Sequence, residues 1–171
     1  MKNTKVTLIA QAGMIAAVYV VLTLVFSAIS YSEIQVRISE ALTILPYFTP
    51  AAIPGLFVGC IIANILGGSI ALDVVFGSLA TLIGAIFTRI LSKKNKYLAP
   101  VPPILANALI VPFVLRYGYT VPLPIPYMML TVGAGEIISC GILGMLLLFA
   151  LEKSGAQAHI FGNSSVSGLP K

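Results

Sequence analysis

Long apolar runs dominate this chain and restrict its possible folds more than any other feature. The 171 residues are 58% hydrophobic and 9% charged, and their mean hydropathy is +1.04. A soluble domain of this size cannot cover so much apolar surface with polar groups. Runs of roughly 20 apolar residues are long enough to cross the hydrocarbon core of a bilayer as helices. The sequence therefore predicts an all-α integral membrane protein.

Six segments are predicted to form transmembrane helices that pack as one compact bundle. Their predicted bounds are residues 6–29, 38–48, 55–66, 73–91, 104–117 and 127–151. The first run is too long for the apolar core of a signal peptide, so we expect it to remain as a helix. The bundle is expected to occupy residues 1–153, and the polar residues 154–171 are predicted to be a disordered tail.

The distribution of basic residues predicts the orientation of this bundle. With the N-terminus inside, the following lysines all lie in the cytoplasm: Lys2, Lys5, Lys93, Lys94, Lys96, Lys153 and Lys171. Cytoplasmic loops of membrane proteins carry an excess of Lys and Arg, so both termini are expected in the cytoplasm of a protein in the cell membrane. The net charge of +5 does not indicate nucleic-acid binding, because the basic residues form no stripe with interleaved aromatic residues.

Polar side chains from several of these segments are expected at a similar depth, towards the outer face. The candidate binding residues are Gln35, Arg37, Glu40, Asn64, Asp73, Asn107 and Glu136. A charged group at the centre of a membrane helix costs at least ~2.5 kcal/mol, so such groups need each other or a ligand. Glu136 is the strongest candidate, because no Lys or Arg lies within two turns of it on its own helix. A small ligand with several N–H donors or a positive charge would suit these carboxylates.

Structural roles for the same residues stay open at this point. Arg37 and Glu40 could form an ion pair that fixes their loop. Asp73 could cap the start of its helix, and Asn64 and Asn107 could join neighbouring helices.

A seam of small residues lies in the first helix. Ala12 and Ala16 are four residues apart, and this spacing lets another helix approach closely. That other helix could belong to this chain or to a partner protein.

The sequence offers little for catalysis or metal binding. It has no GxSxG or HExxH motif, and its one histidine, His159, lies in the polar tail. No general base of the usual kind is therefore present. Cys60 and Cys140 lie in apolar runs without CxxC or Cys/His spacing, so we expect them to act as small hydrophobic residues. We expect no enzymatic activity, no cofactor and no metal.

The run QVRISEALTILP resembles the signature of the QueT family, whose members are substrate-binding S components of energy-coupling factor (ECF) transporters. It occupies residues 35–46. The similarity continues through residues 52–60, 73–81, 98–110 and 133–136. It covers almost all of residues 5–152 and leaves out the tail.

This resemblance implies a six-helix S component of an ECF-type ABC importer. Such a subunit would capture a queuosine precursor outside, either a prequeuosine-type aminomethyl-deazaguanine or queuine, and deliver it inward. The implied partners are a membrane coupling subunit and two ATPases, together the ECF module. The chain itself has no GxxxxGK segment followed by Ser or Thr, so it has no phosphate-binding loop of that kind.

The resemblance also implies roles for single residues. Glu136 would accept the guanine-edge N–H groups, Glu40 or Asp73 would hold the ammonium, and Asn107 would meet the ring carbonyl. The alanines at positions 12 and 16 would dock on the coupling subunit.

Two alternatives keep the transport function and change its details. The chain could be an S component for another vitamin, which requires a different ligand in the same architecture. It could also be a stand-alone carrier that takes up a proton on Glu136 or Asp73, and such a carrier would need no ATPase.

Overall fold

The computed structural model describes residues 4–27 and 36–161, and this part is helical with no β-strand. The helices are α1 (Thr4–Val25), α2 (Ala52–Leu66), α3 (Ala71–Leu91), α4 (Val101–Tyr117), α5 (Ile125–Ser154) and α6 (Ala156–Phe161). A 3₁₀ helix, Ile38–Tyr47, lies between α1 and α2, and a short 3₁₀ turn, Lys96–Leu98, precedes α4. The prediction of an all-α protein is confirmed for these residues.

Four of the described helical segments are long and apolar enough to cross a membrane. They are Lys5–Val25, Ala71–Leu91, Lys96–Tyr117 and Ile125–Ser154. Helix α2 is apolar but has only 15 residues, which span about 22 Å at a rise of 1.5 Å per residue. This is shorter than a hydrocarbon core of about 30 Å. The six-span topology with both termini inside stays a prediction.

The segment Ile38–Tyr47 occupies the place of the predicted second span but differs from it in type. It is a 3₁₀ helix with Pro46 inside, and proline has no backbone N–H to continue an α-helical ladder. At about 2.0 Å per residue it is about 20 Å long. Residues 39–47 are buried, and the segment contacts α1, α2, α3 and α5. It is therefore the centre of the bundle.

Helices α1 and α2 pack through small residues on both sides. A Cβ added to Gly55 would lie 2.7 Å from the carbonyl oxygen of Ala12, and one added to Gly59 would lie 3.0 Å from Cα of Ala16. Larger residues in α2 would force the two backbones apart. The seam predicted in the first helix is thus used within the chain.

Helix α5 contains a π-helical stretch, Ile137–Gly144, directly after Glu136. Such stretches are rare and occur frequently at functional sites. This one packs against the 3₁₀ helix, so it brings the middle of α5 to the centre of the bundle.

The first part of the predicted disordered tail is helical and packed. The ring of Phe161 stacks on that of Phe48 with centroids 5.9 Å apart, and Nε2 of Gln11 donates to the carbonyl oxygen of Ile160 at 3.1 Å. Apolar side chains at the end of α6 account for this difference, because they can be buried against the bundle. Residues 162–171 lie outside the described part.

Candidate functional site

Two buried carboxyl groups meet in the middle of the bundle. Glu40 of the 3₁₀ helix is 1% exposed and Glu136 of α5 is 4% exposed. One oxygen of each, together with Sγ of Cys140, forms a group of atoms within 4.8 Å of one another. These two glutamates, which the sequence pattern predicts to lie at a similar depth, come together in the structure.

Hydrogen bonds from surrounding helices hold this pair. The Tyr19 hydroxyl of α1 donates to Oε1 of Glu40, and Oγ1 of Thr81 in α3 donates to the same oxygen at 3.4 Å. Sγ of Cys140 donates to Oε2 of Glu136 at 3.1 Å. The amide of Asn107 in α4 lies near both carboxyl groups. We call Tyr19, Glu40, Thr81, Asn107, Glu136 and Cys140 the Glu40–Glu136 cluster.

A second polar group surrounds Asp73 at the start of α3. Its Oδ2 lies 3.7 Å from Nη2 of Arg37 and accepts a hydrogen bond from the Tyr119 hydroxyl at 3.1 Å. Nδ2 of Asn64 donates to the backbone oxygen of Asp73 at 3.3 Å. Burial raises the pKa of Tyr119, which lies in the loop after α4, so this hydroxyl keeps its proton and remains a donor. We call Arg37, Asn64, Asp73 and Tyr119 the Asp73 group.

These contacts bear on the structural roles that the sequence left open for the same residues. The ion pair of Arg37 is with Asp73 and not the expected one with Glu40. The N-cap of α3 is Ile70 without a side-chain cap, so the Asp73 carboxylate binds side chains instead of capping its helix. Asn64 joins α2 to α3, as its structural alternative predicted. Gln35, also predicted as a binding residue, lies outside the described residues.

Some buried acceptors in this region have no donor in the described part of the chain. They include Oε2 of Glu40 and Oδ1 of Asn64. A buried polar atom without a partner costs roughly 1–3 kcal/mol. A ligand that brings N–H groups would remove this cost, so the arrangement is suited to binding a hydrogen-bond donor.

The charges of the two groups favour a positively charged ligand. Within the described residues they contain three carboxyl groups, Glu40, Asp73 and Glu136, and one cation, Arg37. Buried negative charge needs compensation near a membrane interior. A small cation would provide it.

The side chains of Glu40, Glu136 and Cys140 could also be considered as a metal centre. Two carboxylate oxygens and a thiol are donor types that bind zinc, and a site with three protein ligands leaves a fourth position open. The donors here are Glu40, Glu136 and Cys140, and each already has a hydrogen-bond partner within the protein. The expectation of no metal is not tested by this geometry and stays a prediction.

Sequence reasoning missed three members of the cluster. Tyr19 and Thr81 were not considered, and Cys140 was treated as a small hydrophobic residue. One available signal was the four-residue spacing of Glu136 and Cys140, which places side chains on the same side of an α-helix. Another was the four-residue spacing of Tyr19 and Thr23, which places these two polar side chains on the same side of α1.

A contrasting polar cluster lies near the C-terminal ends of the 3₁₀ helix, α3 and α5. Nζ of Lys96 pairs with Oε2 of Glu152 at 2.8 Å, and the Tyr47 hydroxyl donates to Oε1 of Glu152 at 3.1 Å. Nη1 of Arg89 donates to the carbonyl oxygens of Pro46 and Tyr47 at 2.9 and 2.8 Å. We call Tyr47, Arg89, Lys96 and Glu152 the Glu152 cluster. Both oxygens of its carboxylate are hydrogen-bonded.

Comparison with known proteins identifies the family of this chain. The profile of the family described as "QueT transporter" matches residues 9–153. The "Queuosine precursor transporter QueT" of Lactococcus lactis subsp. cremoris (strain MG1363) is 40% identical over 85 residues, which are 48% of this chain and 50% of the relative. The match thus spans about half the length of the relative. No solved structure matches significantly. The chain therefore belongs to the QueT transporter family and is a multi-pass protein of the cell membrane.

Proposed function

We propose that this chain is the S component of an ECF-type importer that captures a queuosine precursor at the outer face of the membrane and delivers it inward. Membership of the QueT family supports transport, and the relative's name supports the ligand class. In this proposal the 3₁₀ helix and the short helix α2 complete a six-helix bundle with both termini in the cytoplasm.

The observation that carries the ligand assignment is the Glu40–Glu136 cluster, in which Oε2 of Glu40 has no donor from residues 4–27 and 36–161. An aminomethyl-deazaguanine has N–H groups on its guanine edge and an ammonium on its side arm. We assign the guanine-edge N–H groups to Glu136, the ammonium to Oε2 of Glu40, and the ring carbonyl to Asn107. Asp73 is less suited to the ammonium, because Arg37 and Tyr119 already bind its carboxylate.

The remaining predicted binding residues have supporting roles in this proposal. Arg37 and Asn64 hold Asp73 in place. Gln35 keeps a binding role that rests on its place in the family signature.

A ligand screen tests the assignment directly. The purified chain should bind the aminomethyl-deazaguanine saturably in a calorimetric titration, whereas flavin, folate and thiamine should give no saturable binding. Saturable binding of one of those vitamins without the deazaguanine would instead support an S component for another vitamin.

Uptake experiments test the role as an S component. Proteoliposomes that contain the chain together with its ECF module should accumulate the ligand only with ATP. A stand-alone carrier remains the second candidate, because two buried carboxyl groups could carry a proton. Accumulation by the chain alone, driven by a pH gradient, would favour that candidate and contradict ours.

Docking on the coupling subunit is proposed for the exposed side of α1 next to Ala12 and Ala16, because these two alanines themselves pack against α2. Since Ala16 is buried against α2, a tryptophan there would disturb the fold as well as docking. The neighbouring exposed residues Gly13 and Ala17 offer a cleaner test. Gly13→Trp and Ala17→Trp should abolish co-purification with the coupling subunit and preserve ligand binding. Leu130→Trp, on an exposed part of α5, is the matched control; equal co-purification of all three variants would remove this docking face.

A further inference from the structure

We propose that Glu40 and Glu136 share one proton before a ligand binds and exchange it for the positive charge of the ligand. The site would then select an amine-bearing cation over an uncharged base of the same shape. This inference rests on the proposed function and deepens it, because it names the charge state in which the ligand is recognised.

The two carboxyl groups lie close to each other in a buried region. An oxygen of Glu40 and an oxygen of Glu136 lie within 4.8 Å of each other in a region that is almost fully buried. Two carboxylates that share a buried site cannot both ionise without a cation to compensate them. A shared proton is the simplest compensation that the protein has available.

Titratable groups face the pair from several neighbouring helices. Helix α1 contributes Tyr19, α2 contributes Cys60, which Thr81 contacts at 3.5 Å, and α5 contributes Cys140. Tyrosine and cysteine side chains carry no charge near neutral pH, because their ordinary pKa values are about 10 and 8.5. Helix α4 contributes the amide of Asn107, which does not titrate.

Within the described part of the chain, two further charged side chains lie near the pair, and they largely compensate each other. Arg37 of the 3₁₀ region and Asp73 of α3 form an ion pair at 3.7 Å. With one shared proton, the pair and its neighbours carry one net negative charge. After the proton leaves and a cation enters, they still carry one net negative charge. The exchange therefore changes the occupant without changing the charge of the buried site.

The two oxygens of the Glu40 carboxyl group differ in their hydrogen bonds. Oε2 of Glu40 is buried and has no hydrogen-bond donor within the described residues, whereas Tyr19 and Thr81 both donate to its Oε1. This second oxygen is thus the place at which either the shared proton or an N–H group of the ligand can bind. The two occupants compete for one acceptor.

Competition between a proton and a cation has a defined pH dependence. Because acid favours the protonated pair, the affinity for a cationic ligand falls as the pH falls. An alkylammonium keeps its charge between about pH 5.5 and 7.5, so this dependence would come from the protein. An uncharged ligand displaces no proton and should show no such trend.

Calorimetric titrations in buffers of different ionisation enthalpy test the exchange. The probes are the aminomethyl-deazaguanine and the same base with an uncharged nitrile in place of the aminomethyl group. The first should release about one proton per molecule bound, and its affinity should fall by up to about tenfold per pH unit on the acid side. The nitrile should bind more weakly without proton release. Glu136→Gln should abolish the release, and Glu152→Gln should preserve it.

Infrared spectroscopy tests the shared proton without any ligand. The carbonyl stretch of a protonated carboxyl group should be present in the unmodified protein near neutral pH and lost in Glu136→Gln. Absence of this band would overturn the inference whatever ligand the protein binds. Binding of both deazaguanines without proton release would also overturn the shared-proton inference, and it would leave the proposed function intact. A carboxyl band in a protein that binds neither deazaguanine would count against the proposed function alone.

Discussion

The Glu40–Glu136 cluster and the Glu152 cluster are both groups of polar side chains in an apolar chain, but the described residues satisfy every carboxylate oxygen only in the Glu152 cluster. Lys96 and Tyr47 bind the two oxygens of the Glu152 carboxylate. In the other cluster Oε2 of Glu40 has no donor among the described residues. This difference separates polar groups that stabilise the fold from polar groups that are arranged for a ligand.

The ion pairs near the two clusters also differ in burial. The side chains of Lys96 and Glu152 are 29% and 24% exposed, whereas those of Arg37 and Asp73 are 9% and 4% exposed. An exposed pair contributes about 0–1 kcal/mol, but removing one member of a buried pair typically costs about 3–5 kcal/mol. Equivalent substitutions in the two regions should therefore have unequal effects.

The largest effect is expected for Asp73→Asn. This change removes the carboxylate that binds Arg37 and Tyr119, so the free energy of unfolding should fall by about 3–5 kcal/mol. Thermal unfolding in detergent measures it, with Glu152→Gln as the partner variant from the other cluster. An unchanged melting temperature would show that the Arg37–Asp73 pair does not stabilise the bundle.

The next largest effect is expected for Glu136→Gln, and it concerns affinity. Glutamine has nearly the same shape but cannot accept charge-assisted hydrogen bonds, which contribute about 1.5–3 kcal/mol each. The dissociation constant for the aminomethyl-deazaguanine should rise by about 10-fold to 150-fold, while the melting temperature stays close to that of the unmodified protein. Calorimetric titration measures the change, and an unaltered affinity would remove Glu136 from the site.

The smallest effect is expected for Glu152→Gln. The partly exposed pair with Lys96 contributes about 0–1 kcal/mol, and the residue lies at the end of the bundle away from the proposed ligand. The dissociation constant should stay within about twofold of the original value, because an energy difference below about 0.4 kcal/mol gives a ratio of that size. A loss as large as that of Glu136→Gln would mean that the two clusters do not have separate roles.

The contrast between the clusters also explains what the sequence could predict. Apolar run length indicated an all-α membrane protein, and the cost of charge near hydrocarbon singled out Glu40, Asp73 and Glu136. These are local properties of the chain. They need no knowledge of which helices are neighbours.

The parts that the sequence did not reveal depend on tertiary contacts. Helical periods of 3.0 and 3.6 residues are hard to distinguish over the ten residues Ile38–Tyr47, most of which are buried. The roles of Tyr19 and Cys140 arise only when α1 and α5 meet at the 3₁₀ helix. The helix α6 depends on a contact between Phe161 and Phe48, which are far apart in the chain.

A structure of the protein saturated with the aminomethyl-deazaguanine tests the central claim most directly. We expect a nitrogen of the ligand at about 2.7–2.9 Å from a carboxylate oxygen of Glu40 or Glu136, the usual length of a charge-assisted hydrogen bond. The Lys96–Glu152 pair should remain as it is. A ligand bound elsewhere, with the contacts of Tyr19, Thr81 and Cys140 to the two glutamates unchanged, would contradict the account.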